Sequence, residues 1–326
     1  MTRRSSHLWD LDGFQALLRR RIEEGWTFEK IEPMSSDEIF SRLNRLGIRV
    51  TPEGFRQDVM RHESAERLAD EWCARYRFRL KGRYDEDFIW MAAIVLWKRL
   101  IPERICFEQI DERMQEGYDL LEAQHTIEAC DAWRQVWEWL RDKVTPERNT
   151  IAALDADSRG TQSVFNWCQD FEMELGNAGL SDPEYYRLRI RYCREFLETF
   201  ADVEWSMRGS FLRAEAESYW QLGETETAEN KFEALIQEDP DWAWGYIEWS
   251  DQYWIFRSSP KNYARGEAIL KRALARRNLE DREHVRDRLE SLRTERARAR
   301  KTSAPTKRRK TRSGKRPPKR RKRGQK

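Results

Sequence analysis

The segment FLRAEAESYWQLGETETAENKFEALIQEDP, residues 211–240, contains the clearest signal for the fold of this chain. Two runs of helix-forming residues lie on either side of a glycine, a residue that permits a tight turn. Small side chains at Ala216 and Ala228 allow the two helices to approach closely, and Phe232 is large enough to fill the space between them. Pro240 cannot continue a helix and therefore ends the second one. The stretch predicts a pair of packed helices.

The same residues have the offsets of a tetratricopeptide repeat (TPR), a helix pair of about 34 residues. The matching residues are Ala216, Tyr219, Gly223, Ala228, Phe232 and Pro240. PDWAWGYIEWSDQYW (240–254) repeats the first-helix spacing with aromatic substitutions, and NYARGEAILKRALARR (262–277) is its second helix. DREHVRDRLESLRTERARAR (281–300) has the apolar and charged faces of a terminal capping helix. The sequence predicts a TPR-like helical-repeat (α-solenoid) array, which by itself implies no activity.

The repeat register divides residues 240–254 into a core face and a groove face. The core positions are Tyr246, Trp249, Ser250 and Tyr253. The positions predicted to line a partner groove are Trp244, Ile247, Asp251 and Trp254. A register shifted by two residues would place Trp242 and Trp249 in the groove instead. In either register we expect the groove to bind a protein or peptide.

Helix signals dominate the rest of the chain. Ser35 and Glu38 have the spacing of a capping box, and Thr51-Pro52 places a capping side chain before a proline. Residues 112–142 indicate two helices with a break near 123–125, and alternating strand patterns are nearly absent. The sequence predicts an all-α protein. Its predicted parts are an N-terminal helical region (1–110), TPR-like repeats (111–292) and a disordered polybasic tail (293–326).

Charge is sharply partitioned along the chain. Residues 296–326 contain seventeen Lys and Arg and no acidic residue, which leaves 44 basic and all 58 acidic side chains in residues 1–295. The body therefore carries a net charge of −14, although the whole chain is at +3. A basic segment without large apolar residues cannot bury a core, so it is expected to be disordered.

The basic tail predicts contact with nucleic acid. A flexible polycation attracts RNA, DNA or ribosomes through counterion release, with little sequence preference. The predicted nucleic-acid-binding residues are Lys307, Arg308, Arg309, Lys310, Lys315, Arg316, Lys319, Arg320, Arg321, Lys322 and Arg323. In a eukaryote the same clusters would indicate a nuclear localisation signal. Two alternatives remain open: the tail docks on the acidic body as an autoinhibitory segment, or it has no role.

Several segments between residues 31 and 292 resemble a family of bacterial TPR-like helical-repeat proteins associated with the SEC-C zinc motif. The similar segments include IEPMSSDEIFSRLNRLGI, MQEGYDLLEA and GTQSVFNWCQDFEMELGNAGL. The resemblance implies the helical body but no established reaction. The family's cysteine-rich zinc module is missing, since no cysteine follows Cys193 and a zinc site of this type needs thiolates. We therefore expect no metal and no cofactor.

The residues that suggest catalysis are few. Asp170 and Glu174 lie one helical turn apart, with Glu172 between them, and Cys168 is close by. On a helical-repeat frame these carboxylates would suit a metal-dependent hydrolase or nuclease, which is the alternative interpretation. No second acidic cluster or histidine pair converges on them in the sequence, and no base for Cys168 can be located. The sequence favours a non-catalytic scaffold or adaptor over an enzyme.

Membrane and secretion signals are weak. The longest apolar run, FIWMAAIVLW (88–97), is much shorter than the roughly 20 residues that cross a bilayer, so it predicts a buried helix. The N-terminus lacks the apolar segment of a secretory signal. Five cysteines without a CxxC pair favour a reducing compartment. The expected location is the cytoplasm, or the nucleus if the source is eukaryotic, with no membrane partner.

Overall fold

The computed structural model describes residues 25–76, 84–256 and 260–303. Within these ranges every regular element is a helix, and no β-strand occurs. None of the helices in these ranges is long and apolar enough to span a membrane. The described residues divide into two compact units, which meet in the chain between Lys231 and Phe232.

The first unit begins with five helices around their own core. They are α1 (Phe28–Ile31), α2 (Ser36–Leu46), α3 (Pro52–Val59), α4 (Ala65–Arg75) and α5 (Asp85–Leu100). The capping box at Ser35 and Glu38 and the cap at Thr51 form as predicted. The apolar run 88–97 lies in α5 and is almost wholly buried, which confirms that prediction.

A second core fills the rest of the first unit. Its helices are α6 (Phe107–Glu122), α7 (Thr126–Lys143), α8 (Ile151–Ser158), α9 (Val164–Gly179), α10 (Glu184–Thr199) and α11 (Trp205–Gln221). The predicted break near 123–125 separates α6 from α7. Trp133, Trp167 and Phe171 meet edge-on or stacked with ring centroids 5.4–6.2 Å apart. Gly117 of α6 makes room for the Trp133 indole, because a β-carbon there would overlap the ring.

The last three helices of this second core pack against one another in chain order. Tyr192 of α10 contacts Phe171 of α9 and Phe211 of α11, at centroid distances of 4.6 and 5.7 Å. Because α10 runs antiparallel to both neighbours, α9 and α11 are parallel. Tyr118 of α6 also donates a hydrogen bond to Asp170 of α9. The helices thus pack on their neighbours along the chain, which is the arrangement of a helical-repeat protein.

Helix α12 (Thr225–Glu238) contains the junction between the units, and the second unit continues with α13 (Ala243–Asp251), α14 (Tyr263–Leu274) and α15 (Arg282–Ser303). Phe232 stacks on Trp249 with a 6.1 Å centroid separation and a 4° interplanar angle. The predicted core residues Tyr246, Trp249, Ser250 and Tyr253 are buried, as are Ala216, Ala228 and Phe232. Gly223 adopts the left-handed conformation, with φ of 81°. These positions and the all-α helical-repeat fold class are confirmed.

The predicted boundary at 292/293 does not match the structure. Helix α15 continues to Ser303, and residues beyond 292 belong to its packing. Glu295 accepts hydrogen bonds from Lys261 Nζ at 2.6 Å and Tyr263 Oη at 3.0 Å. Arg296 pairs with Glu267 of α14 at 3.0 Å. The first eleven residues of the predicted tail are therefore helical.

Candidate interaction surface

The predicted groove in residues 240–254 is mostly interior. Ile247, Asp251 and Trp254 are only 1, 2 and 3% exposed. The Trp254 indole donates to Ser250 Oγ at 3.3 Å and lies close to Gly266 of α14, and Asp251 pairs with Arg288 of α15 at 3.4 Å. Side chains covered by α14 and α15 have no free surface for a partner, so the groove assignment of these three residues is corrected.

Trp244 remains half-buried, but it is also engaged within its unit. Its indole donates to Asp281 Oδ2 at 3.1 Å, and its ring centroid lies 5.4 Å from that of His284. The register shifted by two residues does not give an open groove either, since Trp242 and Trp249 are both buried. The aromatic stretch therefore packs α13 against its neighbours. The predicted nucleic-acid-binding residues, Lys307 to Arg323, lie outside the described residues.

The carboxylates of the catalytic alternative have separate partners. Asp170 accepts a hydrogen bond from Tyr118 Oη at 2.7 Å, and Glu174 accepts one from Asn177 Nδ2 at 3.1 Å. Glu172 is buried in an ion pair with Arg189. Within the parts of the chain that the structure describes, no group of three or more His, Cys, Asp or Glu is arranged to hold a metal ion.

Cys168 lies in the interior of the first unit, with no exposed surface. Burial raises the pKa of its thiol to about 12. Nearly all of the group is therefore protonated at neutral pH, and the protonated thiol is the unreactive form.

Glu172 belongs to a buried charge network that joins three helices. Arg189 of α10 donates through Nε to Glu172 Oε1 at 2.7 Å, and its Nη1 lies 3.3 Å from Glu217 Oε2 of α11. Burial lowers the pKa of Arg189, but the two carboxylates outweigh it and hold the pKa above its usual value. Gly176 leaves space for the guanidinium, whose Cζ would lie 3.0 Å from a β-carbon there. The network joins α10 to both α9 and α11.

An uncovered apolar strip follows the outer side of α9. Phe165, Met173 and Leu180 are 48, 52 and 77% exposed. At about 100° per residue they fall within roughly 80° of one another around the helix, opposite its buried side. We call these three residues the α9 face. They are half of the large apolar side chains that are exposed in the described residues.

A cavity of about 230 Å³ opens at one end of the α9 face, and we call it the junction cavity. It lies where α8, α9 and α11 begin and α10 ends. Its apolar lining is Ile151, Ala152, Phe165, Phe200, Val203 and Met207, and its polar rim is Asn149, Thr150, Asp202, Glu204 and Ser206. Asp202 and Glu204 are exposed, and no Lys, Arg or His lines the cavity.

The start of α9 is held in place by a carboxylate from α8. Asp155 accepts hydrogen bonds from the backbone N–H groups of Val164 at 2.5 Å and Phe165 at 3.3 Å. These bonds satisfy donors that a helix N-terminus leaves unpaired. The Phe165 ring is thereby positioned at the cavity mouth.

The α9 face was not among the sites expected from the sequence. A signal exists in GTQSVFNWCQDFEMELGNAGL, where Phe165, Met173 and Leu180 fall outside the buried stripe of Val164, Trp167, Phe171 and Leu175. Large apolar residues on the wrong side of an amphipathic helix are the pattern that would have identified it.

No protein-family model, curated protein or solved structure matches this chain. The resemblance to SEC-C-associated helical-repeat proteins stays a prediction, and the candidate surface is judged on its own geometry.

Proposed function

We propose that this chain is a non-catalytic adaptor that binds a protein or peptide partner on its helical-repeat body and contacts nucleic acid non-specifically through its basic C-terminal segment. We place this activity in the cytoplasm, or in the nucleus of a eukaryotic source. The charge partition carries the proposal, because seventeen basic residues without one acidic residue follow a body with a net charge of −14.

Two features of the described residues support the partner-binding half. Helical-repeat layers present exposed side chains on a rigid frame, which is how such proteins bind their partners. The α9 face and the junction cavity form an apolar surface rimmed by polar residues, a composition typical of interaction sites.

The nucleic-acid half is tested by removing residues 304–326, which lie beyond the last described residue of α15. We expect the affinity for a duplex RNA or DNA probe to fall at least about tenfold at low salt, while the melting temperature stays unchanged. Fluorescence anisotropy between about 50 and 200 mM salt measures the affinity and its salt slope.

A scrambled tail of the same composition is the matched control. It should bind as well as the natural tail, since phosphate contacts depend on charge and not on residue order. Equal binding by the truncated chain would show that the body holds the nucleic-acid site and that the tail assignment is wrong.

A further inference from the structure

The junction cavity has the size of a side-chain pocket. Sites for drug-sized ligands occupy about 300–1,000 Å³, and this cavity has about 230 Å³. Its floor is aliphatic and aromatic. Such a space accommodates one large apolar side chain that enters from solvent past Phe165.

The rim of the cavity carries two exposed carboxylates, those of Asp202 and Glu204. No ion pair joins either of them to another residue that the structure describes. A peptide with a Lys or Arg beside its apolar anchor would place a cation next to these carboxylates. An acidic flank would meet like charges, which is how an interface rejects wrong partners.

We propose that the junction cavity is the anchor pocket for a partner peptide that carries a large apolar side chain flanked by Lys or Arg. This inference rests on the proposed adaptor function and names the chemistry of its protein partner. The α9 face extends the contact, because Met173 and Leu180 lie roughly 12 and 22 Å along the helix from Phe165.

The chain's own basic tail does not fit this pocket. Residues 296–326 contain no Leu, Ile, Val, Met, Phe, Tyr or Trp, so the tail supplies the positive charge but no anchor. The tail is therefore not the occupant, and it stays available for nucleic acid.

Selection from a random peptide display library on the full-length chain tests the proposal. We expect the enriched peptides to combine an aromatic or large aliphatic residue with adjacent Lys or Arg. Acidic peptides that bind the basic tail and not the cavity can be told apart, because all of the cavity variants below should bind them equally.

Two substitutions localise the binding. Ala152→Trp fills the cavity from an exposed position, and Phe165→Ser removes the ring at its mouth. Each should weaken the binding of a synthetic enriched peptide by at least about tenfold. Met60→Ser is the matched control, since Met60 is 65% exposed and does not line the cavity, and it should leave binding unchanged. Asp202→Lys together with Glu204→Lys should remove the preference for basic flanks.

Four results would overturn the proposal. Enriched peptides that bind all variants equally would place the site elsewhere. Acidic peptides whose binding depends on Phe165 would contradict the charge argument. A wild-type dimer that Ala152→Trp converts to a monomer in sedimentation would make a second copy the occupant. If Ala152→Trp instead leaves capture of a protein partner intact, the anchor pocket fails and the adaptor function stands.

Discussion

Residues 240–254 and helix α9 both carry several large rings, yet they expose them differently. The first stretch holds four Trp and two Tyr, and all but Trp244 are buried. Helix α9 buries Trp167 and Phe171 but leaves Phe165 half in solvent. The cause lies in the neighbouring helices, because α13 is covered by α14 and α15, whereas Phe165, Met173 and Leu180 of the α9 face remain about half exposed or more. A high density of aromatic residues therefore indicates a packed core. The candidate site is identified instead by the exposed α9 face.

The largest effect should come from truncating the core of the aromatic stretch. Trp249→Ala removes a buried ring that stacks on Phe232, so we expect the free energy of unfolding to fall by about 3–5 kcal/mol. Urea unfolding measures the change. Phe256→Ala is the control in the same unit, because Phe256 is an exposed ring, and it should stay within about 0.5 kcal/mol. Similar costs for both would contradict the inward assignment of Trp249.

A smaller loss of stability is expected at Gly117, where α6 makes room for the ring of Trp133. Gly117→Ala should destabilise the chain by about 1–3 kcal/mol, since the new methyl group overlaps the rigid Trp133 indole. The steric cost outweighs the roughly 1 kcal/mol that alanine gains over glycine in a helix. Gly54→Ala in α3, where the nearest atom is the Thr51 hydroxyl at 3.3 Å, should be neutral or stabilising in the same unfolding assay. A neutral Gly117→Ala would show that α6 and α7 are farther apart than described.

Removing the carboxylate that caps the start of α9 should lower the free energy of unfolding by less still. Asp155→Ala leaves the Val164 and Phe165 amides without their acceptor, at a cost of about 0.5–2 kcal/mol. Hydrogen exchange should accelerate at the first turn of α9. Unchanged protection there would mean that Asp155 does not position Phe165.

The smallest change in stability is expected from substitutions in the α9 face. Met173→Ser and Leu180→Ser should each change the free energy of unfolding by no more than about 0.5 kcal/mol, because more than half of each side chain is exposed. Thermal melts check this. A loss near that of Trp249→Ala would show that another part of the chain covers the face.

Local sequence signals predicted much of the fold. The caps at Ser35 and Thr51, the break after α6 and the packing role of Phe232 depend on short-range chemistry, and they form as expected. The groove assignment failed because it assumed a regular repeat. Helix α13 ends at Asp251, so Trp254 follows the helix, and α14 and α15 cover positions that a regular repeat would leave open.

The buried charge network and the candidate site both depend on contacts that sequence spacing does not specify. Arg189 meets Glu172 from another helix, seventeen positions away in the chain. The junction cavity is assembled from the ends of four helices. Whether the outer side of α9 is covered is a property of the tertiary structure, and its amphipathic pattern predicts only the buried side.

The most direct test compares Trp254→Ala with Phe165→Ala by urea unfolding. We expect a loss of about 3–5 kcal/mol for Trp254→Ala, because the ring is covered by its own unit. We expect a change within about 0.5 kcal/mol for Phe165→Ala, whose ring is half in solvent. The reverse order, with Phe165 stabilising the fold and Trp254 dispensable, would contradict the assignment of the two surfaces.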